Sequence, residues 1–131
     1  MISFSKVLLS KLALAVAIFA FWTSPDNRRD LLAAEAGQQF IDRMIKEAIG
    51  EPRADNLAQC RSIAFGAKAC GGPAAYLVFS TVRTNEGQLR ALVEEFNQNA
   101  RNYNQVSGRM SDCMFVPEPN SELVGGVCKL R

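Results

Sequence analysis

The chain contains no histidine. That removes Ser-His and Cys-His activation of a nucleophile, imidazole metal ligation and proton transfer near neutral pH. It has four cysteines but no Cys-x-x-Cys, so the thioredoxin type of redox centre and covalent haem attachment lack their motif. The spacings are Cys-x9-Cys and Cys-x14-Cys, which do not match a zinc site. Gly71-Gly72 lacks the further glycine and Lys-Ser/Thr that a phosphate cradle needs. No internal repeat or low-complexity segment is visible. No cofactor is expected, and no catalytic or metal-binding constellation stands out.

Acidic residues are missing from the first 25 positions, where Lys6 and Lys11 carry the only charges. From Leu12 to Trp22 all eleven residues are apolar. A short basic stretch before an apolar run of about 7–15 residues reads as a secretory signal. A spanning helix needs roughly 20 apolar residues. Counting back to Val7 gives sixteen residues, interrupted by Ser10 and Lys11, and Lys11 could snorkel to the headgroups. Cleavage after Ala20 places Ile18 at the third position back, and cleavage after Ser24 places bulky Trp22 there. Residues 1–23 are therefore read as a signal peptide or as an uncleaved anchor. Processing would also cancel the net charge. Of the 15 basic residues, two lie within residues 1–20, which leaves 13 against 13 acidic residues. A neutral product has no electrostatic footprint for nucleic acid, and membrane contact is expected only through the N-terminal segment.

Residues 24–59 read as an amphipathic helix and a linker. Ser24 and Pro25 suit a helix start, and Ile41, Met44, Ile45, Ala48 and Ile49 recur at helical spacing. Asp42 and Lys46, and Arg43 and Glu47, can pair across one turn. Gly50 and Pro52 end the helix, and residues 51–59 follow as a polar connection.

Residues 60–131 form the second part. Arg61–Phe65 is a strand candidate. Cys70-Gly71-Gly72-Pro73 marks a turn, after which Ala74–Phe79 is read as a short helix, although so short an apolar run also suits a buried strand. Residues 85–106 are the clearest element. Asn85 and Gln88 suit a helix N-terminus, Leu89, Leu92, Val93, Phe96, Ala100 and Tyr103 form one stripe, and Gly108 ends it. The tail is read as a hairpin of Cys113–Val116 and Leu123–Leu130 turning at Pro117–Ser121.

Cys60, Cys70, Cys113 and Cys128 are an even set, as a disulfide frame requires, with three possible connectivities. A hairpin centred between Asn120 and Ser121 sets Cys113 opposite Cys128, which leaves Cys60 to close on Cys70. The expected pairs are therefore Cys60–Cys70 and Cys113–Cys128. Each closure is expected to add about 2–4 kcal/mol, which a core of some 70 residues needs.

The second part also resembles a known group. Cys60, the run Lys68 to Ser80 with its Cys70-Gly71-Gly72-Pro73 centre, Ser111-Asp112-Cys113 and Gly126-Val127-Cys128 resemble small exported bacterial proteins with a Cys-Gly-Gly-Pro core. The resemblance spans residues 60–128. It implies export and oxidised cysteines, and carries no activity with it.

The fold class that follows is α+β: a long amphipathic helix packed on a small antiparallel sheet or hairpin, stapled by two disulfides, with a separate N-terminal helix. The sequence leaves open whether that helix docks. Two surfaces stand out. One is the loop of Lys68, Gly71, Gly72 and Pro73 leading to Tyr76. The other is the run Asn97, Gln98, Asn99, Asn102, Asn104 and Gln105, since amides can bond glycans or peptide backbone. The function expected is an exported, periplasmic or secreted, non-catalytic binding or inhibitor-like module, with an envelope or extracellular protein or a glycan as partner. A membrane-anchored envelope structural protein is the alternative. A carboxylate-based hydrolase would need two of Glu94, Glu95, Asp112, Glu118 and Glu122 to converge.

Overall fold

The computed structural model describes residues 26–131. The export segment read over residues 1–23 lies outside them. Helix α1 spans Asp26–Ile49. Its second half is set by the apolar stripe: Ile41 and Ile45 are buried, and Met44, Ala48 and Ile49 are half-buried. On the outer side Lys46 Nζ lies 2.6 Å from Asp42 Oδ2, the expected one-turn pair. Gly50 takes φ 55°, and its N–H donates to Lys46 O at 2.9 Å, closing the helix.

The linker joins a sheet. Arg53 pairs with Val127, Cys128 N–H donates to Pro52 O at 2.9 Å, and Ala54 N–H donates to Gly126 O at 3.0 Å. One 3-10 turn at Leu57–Gln59 follows, and leads directly into β1, Cys60–Phe65.

β1 pairs antiparallel with β2, Ala75–Ser80, in the register Cys60 with Ser80 and Ile63 with Leu77. The expected helix over 74–79 is therefore a strand. Residues directly opposite one another share a face. Ile63, Phe65, Leu77 and Phe79 point to the helices, while Cys60, Ser62, Ala64, Tyr76 and Val78 point to the other side. Tyr76, Leu77 and Val78 are half-buried and Phe79 buried, so β2 is partly covered on both faces over Tyr76–Phe79, which is apolar throughout and shows neither a helical nor a strand period.

Helix α2 spans Glu86–Ser107. Asn85 Oδ1 accepts from Gln88 N–H at 3.1 Å, as the capping pattern required. Gly108, at φ 62°, stops the helix. The core consists of Ile41, Ile45, Ile63, Phe79, Leu89 and Val93, with Ile49, Phe65, Leu77, Leu92 and Phe96 packed around it. The N-terminal helix therefore docks through its second half: Ile45, Phe79 and Leu89 are all fully buried. Phe65 stacks on Phe96 with ring centroids 4.2 Å apart, and Gln38 Nε2 donates to Phe96 O at 3.2 Å.

The hairpin is β3, Ser121–Val124, with β4, Val127–Leu130. Its turn is Gly125-Gly126, both at positive φ (60° and 78°). This is the two-residue geometry whose twist suits a hairpin. The turn thus lies five residues beyond the expected centre, and Cys113–Val116 is not a strand. Pro117 and Pro119 have no N–H to give to a ladder there.

The disulfides follow the true register. Cys60 bonds Cys128, and Cys70 bonds Cys113. The expected pairs, Cys60–Cys70 and Cys113–Cys128, are both replaced. With the hairpin turning at Gly125-Gly126, Cys128 faces Leu123, so Cys113 has no place opposite it. Cys60–Cys128 is buried and holds the β3–β4 hairpin against the outer face of β1. Its 68-residue separation makes its effect on the unfolded chain the larger of the two.

Candidate interaction surface

Gly66 opens the β1–β2 connection at φ 73°, and a Cβ there would lie 2.9 Å from the Ala74 Cβ. Ala74 N–H closes the loop mouth on Phe65 O at 3.1 Å. Within the loop, Gly71 N–H donates to Lys68 O and Lys68 N–H to Gly72 O, both at 3.0 Å. Gly71 and Gly72 sit at φ 94° and 79°, which the turn requires and glycine supplies.

The expected surface residues divide between three roles. Gly71 and Gly72 are exposed at the loop tip, and Pro73 is half-buried. Lys68 points inward: its side chain is 15% exposed, and its ammonium donates to Asp112 Oδ1 at 2.7 Å and to Met114 O at 2.9 Å. Tyr76 lies on β2 and lines a different feature, an apolar groove of about 550 Å³ with Ile49, Phe65, Leu77, Val78 and Leu130.

Two residues of the amide run bond the loop backbone, and Gln98, Asn99, Asn102 and Gln105 are exposed. Asn97 Oδ1 accepts from Gly66 N–H at 2.7 Å, and its Nδ2 donates to Ala64 O at 3.3 Å. Two turns on, Asn104 Nδ2 donates to Ala67 O at 2.8 Å. These two amides fasten the start of the loop to α2. Gln98 and Asn102 bond each other at 3.0 Å.

Three of the five acids are engaged with separate partners. Glu94 pairs with Arg101, Asp112 with Lys68, and Glu118 accepts from the Ser62 hydroxyl. A polar depression of about 580 Å³ beside β1 is lined by Arg61, Ser62, Arg90 and Asn120, with Glu118 its one carboxylate. Asp42 is the one carboxylate lining the apolar groove. Neither place offers the acid pair that a hydrolase reading needs.

The feature that sequence reading missed lies after α2. Residues 109–120 form no helix or strand, yet they carry Met110, Met114 and Phe115 at 95%, 68% and 83% exposure. Val106, at the end of α2, is 79% exposed. This segment is nonetheless fastened. Cys113 is bonded to Cys70, Ser111 Oγ accepts from the N–H groups of Cys70 and Cys113 at 3.4 Å each, and Met114 N–H donates to Asp112 Oδ1 at 3.2 Å. Cys113 holds φ 52°, the one non-glycine residue at positive φ among the described residues. Hydrogen bonding from Lys68, then from Met114 N–H, holds the Asp112 carboxyl below its ordinary acidity range. The available signal was the pair Met114-Phe115 set between a cysteine and two prolines, a place where a loop rather than a core strand belongs.

Comparison with known protein families, curated proteins and solved structures returns no match. Among the described residues no helix is long and apolar enough to cross a membrane. Two disulfides are compatible with an extracellular or periplasmic location.

Proposed function

We infer that the chain is an exported, non-catalytic binding module, inhibitor-like in design, that docks on another envelope or extracellular protein through the fastened loop Met110–Phe115. The observation that carries this reading is the combination of large apolar side chains in water with a loop fixed by a disulfide and a lysine clamp. Unlike apolar residues exposed singly, three large apolar side chains that are each more than two-thirds exposed within six residues are the kind of grouping a partner covers. Burying each of them contributes about 1.5–3 kcal/mol. Ordering a loop on binding costs affinity, and a loop already fixed avoids that cost. The resemblance to exported Cys-Gly-Gly-Pro proteins supports the location.

A protein cleft suits these side chains better than a glycan. Methionine and phenylalanine offer no hydrogen bonds to hydroxyl groups, and two amides that would suit a sugar are already bonded to the loop backbone. The test is a pull-down from envelope extract with the wild-type protein and the Met114→Ala/Phe115→Ala variant. The reading expects a stoichiometric partner captured by the wild type and weakened about 100-fold or more in the variant, the loss of two buried anchors. Equal capture by both, or nothing above background with either, would count against it.

A further inference from the structure

The two disulfides occupy opposite environments. Cys60 and Cys128 are 7% and 2% exposed, inside the contact between the β3–β4 hairpin and β1. Cys70 and Cys113 are both exposed, between a glycine turn and a segment without regular structure. The first bond is part of the packed interior. The second holds only the loop, whose own backbone is strained at Cys113, φ 52°.

We propose that Cys70–Cys113 is a redox-controlled clasp on the apolar loop, opened by dithiol reductants while Cys60–Cys128 stays closed. The regulatory meaning rests on the reading of the loop as a docking surface; the chemistry does not. In the exchange, a thiolate of the dithiol attacks one of the two exposed sulfurs. A protein–reagent S–S bond forms, the Cys70–Cys113 bond breaks, and the departing thiolate takes up a proton. The reagent's second thiol then displaces the protein sulfur. The reagent leaves as a cyclic disulfide, oxidised by two electrons, and the protein gains two thiols. Access decides which bond reacts, because the attacking thiolate must reach a sulfur in line. At Cys60–Cys128 both residues are buried, which denies the thiolate that access.

Opening the clasp leaves the core untouched. Ile45, Phe79 and Leu89 belong to the core cluster, which includes no residue of 108–120, and the Cys60–Cys128 bond is buried. The contacts that remain on the loop are the Lys68 bonds to Asp112 and Met114 and the Ser111 bonds, which are exposed and individually weak. The Cys113 backbone is then free to leave the left-handed region. The fixed presentation of Met114 and Phe115 is lost, and with it the preorganisation that docking uses.

The test is a dithiothreitol titration of the native protein with alkylation and peptide mapping, coupled to chymotryptic cleavage at Phe115. Cys70 and Cys113 are expected to become alkylated at reductant concentrations about 10-fold or more below those needed for Cys60 and Cys128. Over that window, cleavage after Phe115 is expected to accelerate about 10-fold or more, as a fastened loop becomes a free one. The Cys70→Ser/Cys113→Ser variant should show the fast cleavage without reductant. Joint or reversed reduction of the two bonds, or cleavage unchanged once Cys70 and Cys113 are alkylated, would overturn the clasp. No partner enters these readouts. A failed pull-down therefore removes the docking reading, and a failed titration removes the clasp.

Discussion

Lys68 Nζ lies 2.7 Å from Asp112 Oδ1 and donates in the same geometry to Met114 O at 2.9 Å. One side chain thus ties the β1–β2 loop to the segment after α2, alongside the Cys70–Cys113 bond. Lys68 was expected to face a partner. It faces the protein instead, and the residues it positions, Met114 and Phe115, face solvent.

The clamp has a pH signature. Asp112 is held below its ordinary value of 3.8, first by the Lys68 hydrogen bond and then by the Met114 N–H. A carboxyl with a depressed folded-state pKa stabilises the folded form above the unfolded pKa, and loses that contribution as pH falls through the folded value. Amide exchange of residues 111–115 should therefore be slower in the wild type than in Asp112→Asn at neutral pH. The gap should close as pH falls below about 4, where the unfolded carboxyl takes up its proton. A gap that persists unchanged at pH 2 would show that Asp112 does not fasten the loop.

Docking of α1 on the core can be tested at Ile45, which is fully buried with Phe79 and Leu89. Ile45→Ala is expected to destabilise the fold by about 2–5 kcal/mol, through lost burial and the cavity left behind. A control at Phe40, on the same helix and 56% exposed, should cost far less. Urea unfolding of both variants checks this. Equal small effects would place α1 outside the cooperative unit.

Thr84 carries a buried hydroxyl without a hydrogen-bond partner. Its backbone is satisfied, since its N–H donates to Ser80 O at 2.9 Å. Replacing the hydroxyl by a methyl group removes an uncompensated polar atom. Thr84→Val is thus expected to stabilise by about 1 kcal/mol, read as a raised melting temperature. A lowered one would mean that the hydroxyl has a partner.

The sequence was most informative where local signals agreed. Asn85, Gln88, the Leu89-to-Tyr103 stripe and Gly108 all pointed to one helix, and α2 follows them within a residue or two. Arg61–Phe65 read correctly as a strand because a glycine stops it. Tyr76–Phe79 did not, since partial burial on both faces of β2 erases the alternation that marks a strand. At the C-terminus two turn signals competed. Pro117–Ser121 is richer in turn residues, but Gly125-Gly126 supplies two adjacent positive-φ positions and therefore sets the hairpin. The disulfide pairing was inferred from that hairpin, so the displaced turn carried the error to all four cysteines. The apolar loop was hidden for the same reason: Met114 and Phe115 resemble strand residues until the strand they were assigned to moves elsewhere.

The most direct test of the central claim is site-specific photocrosslinking in the intact envelope, with a photoreactive phenylalanine at position 115 and a control at Val82, which is also exposed (55%) but lies in the β2–α2 turn. The expected result is one discrete crosslinked protein from position 115, reduced when Met114 is changed to Ala, and none from position 82. Crosslinking that is absent at 115, or equal at the two positions, would contradict the assignment of Met110–Phe115 as the docking surface.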